Sequence, residues 1–87
     1  MNIEFTGPAS IAVDGGVEYR AKIDGADIVC HFSYELLEDV DPNEILGNAL
    51  EQFHNHQLKL LSIAEKKILD GHIHDGRVQV FTNDLLM

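Results

Sequence analysis

"VEYRAKIDGADIVCHF", residues 17–32, decides the fold. Two alternating runs meet at Asp24-Gly25. An Asp-Gly pair between such runs marks a two-residue hairpin turn, because both central residues must take positive φ. With those two in the turn, Ile23 faces Ala26, Ala21 faces Ile28, Tyr19 faces Cys30 and Val17 faces Phe32. These pairs make one apolar face. On the other face Lys22 meets Asp27, Arg20 meets Val29 and Glu18 meets His31. Slipping one strand by a residue would set charges against the apolar set. The Lys22/Asp27 pair adds at most ~1 kcal/mol to this register.

Upstream, "SIAVDGGVEY" (residues 10–19) reads as a second hairpin. A loop of Asp14, Gly15 and Gly16 pairs Val13 with Val17 and Ile11 with Tyr19; three-residue loops commonly need a glycine at positive φ. "NIEF" (2–5) reads as a short further strand that ends at Gly7-Pro8.

Downstream, the period changes at Ser33. In "SYELLEDV" (33–40) Ser33 is an N-cap and Glu35 sits in the first turn, with Leu36, Leu37 and Val40 on the buried side of a short helix. "DPNE" (41–44) follows as a helix start, with Asp41 as cap, Pro42 at the first helical position and Glu44 reaching back. An apolar stripe then runs through Leu46, Ala49, Leu50, Phe53, Gln57, Leu60, Leu61, Ala64 and Ile68 at steps of three and four. Lys66 and Lys67 suit the negative end of the dipole, and Gly71 suits the C′ position.

A single helix from Pro42 to Asp70 would be about 43 Å long. A compact domain of this length has a radius of gyration near ~12 Å and a diameter of roughly 30 Å. Such a helix bends, breaks (Gly47 is its weakest residue) or overhangs. An overhang with Leu58, Leu60, Leu61 and Ile63 around it favours a second chain. After the cap, Asp75-Gly76 turns the chain into "RVQVFT" (77–82), a strand expected in the same sheet. The expectation is one domain over 1–87 of the α+β class. It has a small antiparallel sheet, made of two N-terminal hairpins and a C-terminal strand. One short and one long helix pack on one face of it.

Fifteen acids stand against six bases, a net charge of -9. Between Ile23 and Leu58 there is no Lys or Arg. A phosphate backbone needs such cations to displace its counterions, so direct nucleic-acid binding is not expected, nor is binding to anionic membrane. One cysteine, Cys30, rules out an intrachain disulfide. The first ten residues lack the basic start and apolar run of a signal peptide, and no apolar run reaches the ~18 residues of a spanning helix. A cytoplasmic protein is the expectation.

The order of signals resembles the bacterial domain-of-unknown-function family numbered 1488. The shared pattern is an alternating strand with an aromatic and an alanine (Tyr19, Ala21), a glycine turn (Gly25) and a cysteine in the next strand (Cys30). Ser-x-Glu-x-Leu then opens a helix (Ser33, Glu35, Leu37). Further on come Asp41-Pro42, Phe53, and "LLSIAEKKI" (60–68) before Gly71. The resemblance spans nearly the whole chain. It implies a small α+β domain and carries no activity over. The chain departs from the pattern before the first hairpin, where Phe5 is the only aromatic, and at His54 and His56, where Arg-like residues are expected.

Few residues read as chemistry. In "DGHIHDG" (70–76), His72 and His74 point to one side if the segment is extended, within reach of one ion; zinc takes three or four protein ligands. "HNH" (54–56) is no chelate, since on a helix His54 and His56 lie about 200° apart. Cys30 belongs to the apolar face and so is an inert thiol; His31 beside it points the other way. Ser33 is occupied as a cap. "DGG" (14–16) lacks the Lys and helix of a phosphate loop.

No catalytic residue and no cofactor is assigned. The leading expectation is a non-enzymatic, acidic protein-binding or regulatory module, homodimeric, with an acidic surface for a protein partner. The alternatives are a metal-dependent protein or hydrolase using His72 and His74, and an accessory transcription regulator acting through another protein.

Overall fold

The computed structural model describes residues 1–41 and 48–86. Three strands form an antiparallel meander: β1 (Ile3–Ile11), β2 (Val17–Ile23) and β3 (Ala26–Phe32). Helices α1 (Tyr34–Asp39), α2 (Ala49–Asn55) and α3 (Gln57–Leu69) follow, then β4 (Arg77–Val80) and a 3₁₀ turn, Thr82–Leu86. The sheet order is β1-β2-β3-β4. The fold is α+β, as expected.

The β2–β3 hairpin has the expected register at all seven positions, from Val17 facing Phe32 to Ile23 facing Ala26. Asp24 (φ 50°) and Gly25 (φ 86°) both take positive φ. The upstream hairpin is offset from its expected register. Ile11, not Val13, faces Val17, and Ala9 faces Tyr19. The loop is longer because Ala12 N–H donates to Gly16 O at 2.8 Å and Gly15 N–H donates to Ala12 O at 3.0 Å. An offset of two residues keeps each side chain on its face.

β1 does not end at Gly7-Pro8. Thr6, Gly7 and Pro8 stand opposite Arg20 alone, so Phe5 faces Ala21 while Ala9 faces Tyr19. Two extra residues again preserve parity, and proline is tolerated at a bulge on an edge strand.

The expected all-antiparallel sheet is corrected at β4, which pairs parallel to β3, with Cys30 beside Val78 and Phe32 beside Val80. The reason is the connection. Helices lie between β3 and β4, and a helical crossover returns the chain to the end where the first strand began.

The single long helix is also corrected. α2 and α3 are separate, and His56 (φ -123°, ψ 23°) ends one and starts the other. His54, Asn55 and His56 all have low helix propensity. The longest dimension of the molecule is 37 Å, shorter than a straight rod over that stretch. Asn48 caps α2 by accepting from Leu50 N and Glu51 N. The helix start expected at Pro42 and Glu44, the start of the stripe at Leu46, and the weak point at Gly47 lie outside the described residues.

α1 opens as expected, with Leu36 N–H donating to Ser33 Oγ at 3.1 Å. α3 closes as expected at Gly71 (φ 84°). Gly71 N donates to Ile68 O and His72 N to Lys67 O, the two bonds of a Schellman cap.

All three helices cover one face of the sheet. Val17, Ala21, Cys30, Phe32, Val78 and Val80 of the strands share one core with Leu36, Leu37, Phe53, Leu60, Ala64 and Ile68. Phe53 lies between the rings of Tyr19 and Phe32, with centroids 5.4 and 5.1 Å away. Gln52 is buried beside it and donates from Nε2 to Leu37 O at 3.0 Å, tying α2 to α1. Leu60 is fully buried, Leu61 and Ile63 pack against the core, and Leu58 alone of the four leucine and isoleucine positions projects freely. No helix among the described residues is long and apolar enough to cross a membrane.

Candidate functional site

The uncovered face of the sheet carries the polar chemistry. Strand alternation puts Glu18, His31 and Gln79 in one row across β2, β3 and β4, and Arg20, Val29 and Arg77 in the next. Two cross-links tie this face together. His31 Nε2 lies 2.9 Å from Asp14 Oδ2, and Arg77 Nη2 donates to Glu18 Oε2 at 2.5 Å, reaching over β3.

The β1–β2 loop presents Asp14. Its Oδ1 accepts from Gly16 N at 2.9 Å, which leaves Oδ2 for His31. His31 is thereby buried on a face otherwise open to water, and its Nδ1 is buried with no hydrogen-bond partner among the described residues. The Gly16 N–H and the His31 ring hold the Asp14 carboxyl below its ordinary value of 3.8.

An Asp–His pair can orient an imidazole and accept a proton, but it needs a nucleophile to act on. Cys30 lies on the opposite face, fully buried, and burial pushes its thiol up to about 11. Ser33 Oγ is occupied as the α1 cap.

His72 and His74 come together. Both line a cavity of about 470 Å³ with Lys67, Asp75, Arg77 and Phe81. Asp75 (φ 53°) and Gly76 (φ 73°) make the turn that brings Arg77 back onto His74, and the two residues exchange both backbone bonds. Among the described residues no group of three or more His, Cys, Asp or Glu could hold a metal ion. His56 does not join them; it borders a different cavity, with Nε2 3.8 Å from Asp41 Oδ2. His54 is exposed, as expected.

Lys67 closes the wall. Its Nζ donates to Gln79 O at 2.5 Å and to Asp84 Oδ2 at 2.9 Å, and lies 5.6 Å from the centre of the Phe81 ring. Partial burial pushes the Asp84 carboxyl up. The Phe81 N–H, the Lys67 hydrogen bond and charge, and the charge of His72 outweigh it, so the net shift is downward from 3.8.

Both Asp14 and Asp84 therefore favour the folded state above pH ~3.8, and that contribution is lost as pH falls through their lower folded values. In urea unfolding between pH 2 and 5, Asp84→Asn is expected to flatten the acid-side loss of stability and to cost about 1–3 kcal/mol at pH 7. An acid limb as steep as the parent's would contradict this role of Asp84.

The His31–Asp14 and Glu18–Arg77 links were not anticipated from sequence. The hairpin register already set Glu18 against His31, which was the available signal. Asp14 and Arg77 arrive through a loop and a crossover.

No family model and no curated protein matches the chain. Among solved structures, it is similar to a protein of unknown function from the DUF1488 family of Shewanella loihica PV-4, whose crystal structure was determined at 1.60 Å resolution. The TM-score is 0.77 at 28% identity, over 92% of this chain and 94% of that one. The chain is DUF1488-like. The likeness covers the sheet and the helices together, in agreement with the resemblance seen in the motifs around Tyr19, Cys30 and Ser33. It brings no activity to the DUF1488-like chain, because the solved protein is itself of unknown function.

Proposed function

We propose that the DUF1488-like chain is a non-enzymatic binding or regulatory module that self-associates and offers an acidic helical face to a basic protein partner. One observation carries this reading. Glu35, Glu38, Asp39 and Glu51 are all exposed on α1 and α2. None of the four forms an ion pair with a described residue, whereas Lys22, Lys66, Lys67 and Arg77 are all paired within the chain. α1 and α2 therefore carry four exposed carboxylates with no cation paired to them among the described residues. The field of such carboxylates steers a basic partner, and salt screens it. Val13 and Leu58 are 110% and 86% exposed, which supports self-association as a way to cover apolar side chains.

Immobilised chain is expected to retain a basic partner from native lysate at low salt. The triple variant Glu35→Gln, Glu38→Gln, Asp39→Asn is expected to retain at least about tenfold less. Equal retention by the two would remove the acidic face from the reading. Sedimentation at micromolar concentration is expected to show a dimer, and a monomer alone would end the self-association part.

A further inference from the structure

The cavity beside α3 contains a concentration of donors that the acidic-module reading leaves unused. The whole chain has six Lys and Arg and five His. Lys67, Arg77, His72 and His74 all line this one cavity, and among the described residues Asp75 is the only acid that lines it.

These donors have capacity left. An ammonium has three N–H groups, and Lys67 spends two, on Gln79 O and Asp84. Arg77 has five, and Nη2 is committed to Glu18. Neither imidazole donates to or accepts from a described residue through its ring, and each neutral ring has one N–H to give. Asp84 and Glu18 anchor the two cations from outside the cavity wall. Lys67 and Arg77 outnumber Asp75 in the wall itself, while the paired Asp84 and Glu18 offset both cations, so the attraction for an anion comes from the free N–H groups rather than from net charge.

Carbonyls at the end of α3 would repel an anion, but they are already occupied. Lys66 O, Lys67 O and Ile68 O accept from Asp70, His72 and Gly71. The same ammonium and guanidinium oppose a bound cation.

We infer that this cavity binds the phosphoryl group of a small phosphate ester, with His72, His74, Lys67 and Arg77 as donors and Phe81 as the wall for the ester's organic part. Four donor side chains around one space suit the three terminal oxygens of a phosphoryl group, which offer more acceptor sites than the two oxygens of a carboxylate. A volume of about 470 Å³ leaves room beyond the phosphoryl group. Phe81, 46% exposed, presents an apolar surface for that remainder.

The test is a titration of the full, untagged chain at pH 7 with phenyl phosphate, inorganic phosphate, benzoate and zinc, followed by amide and imidazole NMR shifts. Phenyl phosphate is expected to give saturable shifts at Gly71, His72, His74 and Arg77, at millimolar affinity or better. The double variant His72→Gln, His74→Gln is expected to bind about tenfold more weakly. Both side chains are exposed, so its remaining amide spectrum should match the parent's. Phe81→Ala is expected to weaken phenyl phosphate while leaving inorganic phosphate unchanged. Benzoate binding as tightly as phenyl phosphate would overturn the phosphoryl assignment. Zinc shifts at His72 and His74 with no response to either phosphate would overturn it in favour of a metal. Double-variant affinity equal to the parent's would remove the histidines from the site.

Discussion

Phe53→Ala is expected to destabilise the protein by about 3–5 kcal/mol, the usual cost of emptying a buried phenylalanine site. The ring is fully buried and bridges α2 to the sheet between Tyr19 and Phe32. α2 has only seven residues, Ala49–Asn55, too few to be helical in water unaided. Its helicity depends on the tertiary contact that Phe53 supplies. A cavity there removes an aromatic cluster and the main anchor of the helix together. Domains of this kind hold roughly 5–15 kcal/mol in all, so the variant should stand near the folding threshold. Thermal unfolding by circular dichroism should show a Tm at least about 12 °C below the parent's. Phe53→Leu keeps most of the volume and is expected to lose clearly less. A loss below about 1 kcal/mol in the alanine variant would mean the site collapses around the gap, and the anchoring role would be wrong.

Gly16→Ala is the second large effect, expected at about 3 kcal/mol. A Cβ on Gly16 would lie 2.2 Å from Phe32 O and 3.2 Å from Tyr34 N. Both are backbone atoms, at the end of β3 and the start of α1, so no side-chain rotation relieves the clash. Either the β1–β2 loop lifts or the β3–α1 junction shifts. In the first case Asp14 withdraws from His31. Gly15 supplies the internal comparison. It sits at φ 92°, and a Cβ there would meet only the Tyr34 ring, at 3.5 Å. Gly15→Ala should therefore cost only the backbone penalty of about 1–2 kcal/mol. Urea unfolding of both variants reads the order directly, and a Gly15 variant less stable than the Gly16 variant would sink this account. From sequence, both glycines read as parts of a tight loop. The need of Gly16 for space rather than for positive φ depends on β3 and α1 passing close by.

Much of the fold was legible because its signals are local. The Asp24-Gly25 turn with its alternating flanks gave every pair of the β2–β3 hairpin. Ser33 and Gly71 marked helix ends through capping bonds spanning three to five residues. Asp75-Gly76 marked a turn through backbone preference alone. The apolar stripe was legible in Ala49, Phe53, Leu60, Ala64 and Ile68, yet Gln52 joins the buried set because its amide finds Leu37 O. Periodicity assigns a face; it does not show which polar group will find a partner there.

The candidate site was half legible. His72 and His74 stood out by spacing, and they do line one cavity. What makes that cavity chemically distinct is Lys67 and Arg77, placed there by the end of α3 and the start of β4. His31 drew attention only as the neighbour of Cys30, and its partner Asp14 comes from another loop.

By itself the sequence determined the turns, the caps, the alternation of faces and the acidic balance, because each depends on residues a few positions apart. Only the tertiary structure decided the direction of β4, the bulge at Gly7-Pro8 and the pairs Asp14–His31, Lys67–Asp84 and Glu18–Arg77. The last joins residues 59 positions apart. Such pairs depend on the path of the whole chain, since a side chain meets a distant partner only after the sheet order and the helical crossover have brought them together.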